Sequence, residues 1–180
     1  FTCAILDDAS LYCWGYNDVG QLGDGSTTSS YVPVAVDIPT GRTAVSVSTK
    51  AAHTCAVLDN ASLYCWGAND NGRLGDGTTT HRSTPVAVSL PTGRTAVSVS
   101  TGMQHTCAIM DNLSLQCWGL NYNGQLGDGT IINHDTPAYT SLPSGRTVGL
   151  DTDSDGDGVI DLFDDYLNNP ARSISCPAGS

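Results

Sequence analysis

Asp153, Asp155, Asp157, Asp161 and Asp164 occupy positions 1, 3, 5, 9 and 12 of one twelve-residue stretch, DSDGDGVIDLFD. Calcium takes about six to eight hard oxygens in flexible geometry. These carboxylates supply most of them, with the Val159 carbonyl at position 7, Gly158 at the bend and Ile160 as an apolar anchor. Ca2+ is therefore the expected cofactor. Asp164 stands where a bidentate Glu would hold the ion most tightly, so the expected affinity is in the weak, extracellular range. Asp151 and Asp165 offer a shifted register. The alternative is a solvated acidic linker whose carboxylates repel one another without the ion.

Cysteine supplies the second chemistry. Cys3/Cys13, Cys55/Cys65 and Cys107/Cys117 are pairs ten residues apart, and Cys176 is left over. Each pair sits on two arms of an expected hairpin, so disulfides that close short loops fit, in an oxidising compartment. Buried free thiols and a zinc site from His53, Cys55 and Cys65 are the alternatives, although the spacing is unlike that of common zinc ligands. Cys176 pairs between chains or stays free. Asn60-Ala61-Ser62 and Asn112-Leu113-Ser114 match the N-glycan acceptor pattern, at hairpin tips from which a glycan would project. Asp8 in the first copy cannot accept one. No Gly-x-Ser-x-Gly or His-Glu-x-x-His motif occurs, and the chain has no Glu. Asp24, Asp76 and Asp128 recur at one per repeat, which suits turns. The chain is expected not to be an enzyme.

These residues are carried by a repeat. Cys3–Gly25, Cys55–Gly77 and Cys107–Gly129 align at an offset of 52 residues without insertion or deletion. A fixed period of this size signals blocks that bury their apolar faces only by stacking. In the middle copy, Thr43–Thr49 alternates Val45 and Val47 with Ser46 and Ser48, as a half-buried strand does. Thr54–Leu58 and Leu63–Gly67 flank the turn-like Asp59–Ser62 and read as a hairpin. The Gly-rich loop Asn69–Gly77 carries Leu74 as an anchor into the core. Thr84–Ser89 is the fourth strand, and Pro85 assigns it to a sheet edge. Four strands per period is the blade of a β-propeller. The expected fold is all-β: blades at about 1–42, 43–94 and 95–150, then an acidic tail at 151–180.

Charge follows the same division. Residues 1–150 hold 11 Asp against 6 Lys/Arg, a net of −5, and residues 151–180 hold 7 Asp against one Arg, a net of −6. This balance argues against nucleic acid, whose binding rests on basic side chains. No apolar run is long enough to span a membrane. The chain starts in mid-pattern at Phe1, which points to processing or to upstream sequence.

The segment HTCAVLDNASLYCWGANDNGRLGDGTTT resembles the repeat of the regulator of chromosome condensation family, a β-propeller family whose blades follow an HTxAL, xYxWGxNxxGQLG and GxGT order. The resemblance covers residues 1–150. It implies a structural packing role for His53 and His105; the first copy has Phe1 at that position. Trp14, Trp66 and Trp118 recur once per blade and are expected to fill the space between blades; a ring of exposed Trp for sugar binding is the alternative. The family name implies chromatin and a small GTPase, but acidity and paired cysteines point outside the cell. The tail resembles the calcium loops of dockerins and thrombospondin type-3 repeats.

A closed propeller needs about four blades or more, so three form an incomplete ring. The ends complement each other: FTCAIL lacks a preceding inner strand, and Gly145–Leu150 is expected to be such a strand without a hairpin partner. The expectation is a non-enzymatic extracellular structural module, in a fibre or surface layer, that self-assembles head to tail by strand complementation. The alternative is a secreted ligand- or glycan-binding propeller domain that is a fragment of a larger one.

Overall fold

The structure is a computed structural model and describes residues 1–149. The expected calcium ligands Asp153, Asp155, Asp157, Val159, Asp161 and Asp164, and also Cys176, lie outside the described residues. One compact unit spans Phe1–Thr147.

Among the described residues every regular element is a strand. The first sheet holds β1 (Thr2–Ile5), β2 (Leu11–Gly15) and β3 (Ser30–Ala35) in that order. The second holds β4 (Ala44–Lys50), β5 (His53–Leu58), β6 (Leu63–Gly67) and β7 (Arg82–Ala87). The third repeats it with β8 (Ala96–Thr101), β9 (His105–Met110), β10 (Leu115–Gly119) and β11 (His134–Tyr139). All pairs are antiparallel. The expectation of three four-stranded blades therefore holds for two. Among the described residues the first blade shows no counterpart of β4 and β8, since β1 is the counterpart of β5.

Three details depart from the sequence reading. Val45 does not share the inward face with Val47: it is 66% exposed. A bulge between Ala44 and Ser46 shifts the β4–β5 register, which turns the extra residue outward. Val97 does the same in β8, where the shift falls between Ala96 and Ser98. The fourth strand runs two residues earlier than expected, Arg82–Ala87. Ser89 leaves the ladder because its N–H donates to the Gly75 carbonyl at 2.8 Å. Pro85 does lie on an edge strand, since β7 is outermost in its sheet. Finally, residues 145–149 form no strand; a lone segment has no ladder to join.

The hairpin tips explain a repeated Asp/Asn-x-Ser. Ala9, Ala61 and Leu113 take left-handed φ values of 63°, 60° and 63°. The preceding side chain holds the turn: Asn60 Oδ1 accepts from Ser62 N–H at 3.2 Å and from the Ser62 hydroxyl at 2.6 Å, and Asn112 does likewise with Ser114. Asp8 makes the same bonds to Ser10. The two glycan acceptor asparagines are thus exposed turn residues with a structural reason of their own.

The cores lie between sheets, not within them. One cluster joins Leu11, Cys13 and Leu22 of the first blade to Ala44, Ala56, Leu58 and Trp66 of the second. The other joins Cys55, Val57, Leu63, Cys65 and Leu74 to Ala96, Val99, Met110 and Trp118. Leu74 is fully buried, as an anchor must be. Gln116 is the misfit. It is fully buried in β10, at the repeat position of Tyr12 and Tyr64, and neither its Nε2 nor its Oε1 has a hydrogen-bond partner among the described residues. Unpaired buried polar atoms cost stability, so Gln116→Leu is expected to raise the unfolding free energy by about 1–2 kcal/mol in urea titration.

Candidate interaction surface

Six cysteines are placed across hairpin arms. Cys3 faces Cys13, Cys55 faces Cys65 and Cys107 faces Cys117 in register. Their sulfurs are bonded as disulfides, with Cα atoms 4.1 Å apart in each pair. The bridges tie each hairpin and occupy the sulfurs a zinc site would need.

An asparagine that the sequence reading passed over builds each Gly-rich loop. Asn17, Asn69 and Asn121 are fully buried. Asn69 Oδ1 accepts from Leu74 N–H at 3.0 Å, and its Nδ2 donates to the carbonyls of Thr78 and Thr80 and to Asp76. Asn17 and Asn121 make the corresponding bonds, the first to Leu22 N–H and the second to Leu126 N–H. The available signal was recurrence of this Asn at one per period, three residues after each Trp.

The loop so shaped is the joint between blades. The Gln21 carbonyl accepts from Trp66 Nε1 at 3.0 Å and from Thr54 Oγ1 at 2.9 Å. Gly23, at φ +73°, lies flat on the Trp66 indole: a Cβ there would stand 2.5 Å from Nε1. Gly25 N–H donates to the Ser83 carbonyl at 3.0 Å. The second joint repeats the first. Thr106 Oγ1 donates to the Arg73 carbonyl at 2.8 Å, Gly75 covers Trp118, and Gly77 N–H donates to the Asp135 carbonyl at 2.9 Å. Trp66 and Trp118 are fully buried here, so they fill the inter-blade space and offer no sugar platform.

His53 adds a buried polar link to the second joint. Its Nε2 lies 2.9 Å from Thr106 Oγ1. The Thr106 proton goes to Arg73, so the network assigns the His53 proton to Nε2. Burial first, then the Arg73 charge and His105, push the His53 pKa from 6.5 down to about 3. The unfolded chain binds this proton near its ordinary value, whereas the folded chain stays neutral until about 3. Stability is therefore full above the unfolded value and falls with pH through that window, by about 1.4 kcal/mol per pH unit. His105 is also lowered, by burial first and then by the Lys50 charge, so it too costs stability as the pH falls below its ordinary value. Asp128 titrates lower, at about 2, held there chiefly by the Thr130 N–H. His53→Gln keeps a donor for Thr106 and is expected to flatten most of the stability loss between pH 6.5 and 4 in thermal melts.

Both ends of this array are open among the described residues. The outer edge of β1 carries no strand where β5 carries β4 and β9 carries β8. On the third blade, a groove of about 330 Å3 with a mixed lining runs along Leu113, Leu115, Tyr139 and Leu142 and along the polar Asn112, Ser141 and Arg146. The corresponding hairpin tips of the other blades, at the Ala9 and Ala61 carbonyls, accept from Ala44 and Ala96 N–H of the next blade. Among the described residues no cluster of three or more His, Cys, Asp or Glu could hold a metal, and no helix is long and apolar enough to cross a membrane.

Comparison with known proteins agrees with this geometry. The regulator of chromosome condensation (RCC1) repeat matches residues 8–57 and 60–109, more than half of the chain. The human E3 ubiquitin-protein ligase HERC2 is 31% identical over 147 residues, 82% of this chain and 3% of that protein. The ultraviolet-B receptor UVR8 of Arabidopsis thaliana is 31% identical over 136 residues, 76% of this chain and 31% of that protein. The crystal structure of Prp20p from Saccharomyces cerevisiae superposes with a TM-score of 0.70 at 20% identity, covering 79% of this chain and 36% of that one. The chain thus spans about a third or less of each of these three proteins.

Proposed function

The chain belongs to the regulator of chromosome condensation (RCC1) repeat family, and from that premise we propose that it is a non-enzymatic extracellular structural module that assembles head to tail by β-strand complementation. The observation that carries this reading is the outer edge of β1, which pairs with no strand among the described residues. A free edge of this kind is a template for another chain's strand. Three disulfides in one small unit support an oxidising location. The aspartates Asp153 to Asp164 would bind calcium and stiffen the assembly, and Asn60 and Asn112 are exposed for glycans. The partner is then a second copy, with no role for nucleic acid.

Light scattering and electron microscopy of the full chain over a concentration series, with and without millimolar calcium, test this. Growing linear particles are expected; a compact monomer at every concentration overturns it. Calorimetry with calcium is expected to show binding heat and a raised Tm, and the absence of both reduces the tail to a linker.

A second reading follows from coverage. Because the chain matches only 31% of UVR8 and 36% of Prp20p, it is also consistent with a segment of a larger ligand- or glycan-binding propeller. Saturable binding on a glycan array by a monomeric chain favours that reading.

A further inference from the structure

The second joint differs from the first on the face that carries the Gly-rich loops. Asn71 Nδ2 donates to Gln104 Oε1 at 2.8 Å, and Asn133 Nδ2 donates to Asn71 Oδ1 at 3.4 Å. Asn133 Oδ1 accepts from Asn121 N–H at 2.8 Å, and Asn121 Nδ2 donates to the Ile132 carbonyl at 3.0 Å. Side-chain amides thus form a row from the β8–β9 turn to the foot of Tyr122 and Ile132. An amide nitrogen has two hydrogens, so Asn71 and Asn133 each keep one N–H beyond the row. At the first joint the row positions hold Val19, Ala52 and His81. That joint closes without the row, so packing does not require it. Beside the row, Tyr122, Ile131 and Ile132 are 68%, 67% and 65% exposed. The second blade has Asp70, Thr79 and Thr80 at these positions, and the first has Asp18, Thr27 and Thr28. All of these counterparts are exposed with a following blade in place. The exposure therefore belongs to the position and not to the end of the array. A side chain here leans toward the row: Asp70 Oδ1 lies 3.6 Å from His81 Nε2. The third blade has exchanged charges and hydroxyls for an aromatic ring, two aliphatic side chains and uncharged amides.

We propose that this face is a site for a neutral oligosaccharide of N-acetylated amino sugars. The Tyr122 ring offers an apolar platform for one face of a pyranose, with a few polar groups placed beside it to fix orientation. The remaining N–H groups of Asn71 and Asn133 would donate to the acetamido carbonyl, and the acetamido methyl would pack on Ile132, next to Ile131. An acetamido group sets an acceptor beside a methyl, which is the combination that the amide row and the isoleucines complement. Charge selects a neutral ligand. The row contains no Asp, Glu, Lys or Arg, and residues 1–150 hold 11 Asp against 6 Lys/Arg, a balance that repels acidic sugars. This inference rests on the reading of the chain as part of a glycan-binding propeller, and assigns that reading a site and a sugar class.

Calorimetry of the full chain tests it with two probes: chitotetraose, a tetramer of N-acetylglucosamine, and cellotetraose, which has the same linkage and no acetamido groups. Chitotetraose is expected to bind saturably. Cellotetraose is expected to bind about tenfold more weakly or worse, because a sugar without the acetamido carbonyl leaves the amide donors unpaired. Tyr122→Ala is expected to weaken chitotetraose binding by about tenfold or more. Its Tm should be unchanged, since the ring is exposed. Tyr16→Ala removes an exposed tyrosine of the first blade, away from the row, and should leave binding as it was. Ile132→Ser should narrow the preference between the two probes. Chitotetraose binding that is undiminished in Tyr122→Ala, or equal for the two probes, overturns the inference and leaves the glycan-binding reading in place. No saturable binding of either probe overturns it as well, and a glycan array that is likewise blank overturns the reading beneath it.

Discussion

Trp66→Ala is expected to lower the unfolding free energy by about 3–5 kcal/mol, among the largest effects available to one substitution in this fold. The indole is fully buried between two sheets, its Nε1 donates to the Gln21 carbonyl, and Gly23 leaves no gap above it. Truncation removes the apolar area that the first and second blades share and leaves a cavity that two rigid sheets cannot close. The other tryptophans calibrate the claim. Trp118 is equally buried, but its Nε1 has no partner among the described residues. Trp118→Phe should therefore cost less than Trp66→Phe, by about the net worth of one hydrogen bond, about 1 kcal/mol. Trp14→Ala should cost least in a dilute monomer, because Trp14 is only partly buried and no blade covers it among the described residues. Equal losses at all three positions in guanidinium titrations would contradict the role given to the joint.

The second large effect belongs to the disulfides. Replacing Cys55 and Cys65 together by Ala is expected to cost about 2–5 kcal/mol. Part of this comes from the unfolded chain, which regains the freedom of an eleven-residue loop, Cys55 to Cys65. The rest comes from the core, since both cysteines are fully buried and pack with Leu63, Leu74 and Trp118. Reductant should lower the Tm of the unmodified chain and leave the Tm of a variant lacking all three bridges unchanged. A Tm indifferent to reductant in the unmodified chain contradicts the bridges.

The fold was legible because the 52-residue period, the alternation of apolar residues and the turn residues all describe local structure. Leu74, Trp66 and Trp118 were legible as core for the same reason: one large apolar residue at a repeat position has few other places to go. The misreadings were non-local. Alternation places Val45 inside, but the register shift that expels it is set by pairing with β5. Asn69 looked like a loop residue, and its burial follows from four acceptors and donors that only the closed loop brings together. The joint itself was invisible, because Gln21 and Trp66 meet across 45 residues of sequence. A backbone carbonyl as the shared acceptor leaves no trace in residue type. What the sequence did carry was the glycine at Gly23, Gly75 and Gly127, whose reason is the neighbouring indole in the first two cases.

The central functional claim is that the outer edge of β1 is completed by another copy of the chain. Hydrogen–deuterium exchange of the amides of Thr2–Ile5, followed as concentration is raised through assembly, tests it most directly. Strand complementation predicts that the outward-facing amides of β1 slow in step with particle mass, while those of β4, already at the edge of a complete blade, keep their rates. Exchange in β1 that stays unchanged while particles grow would contradict strand complementation.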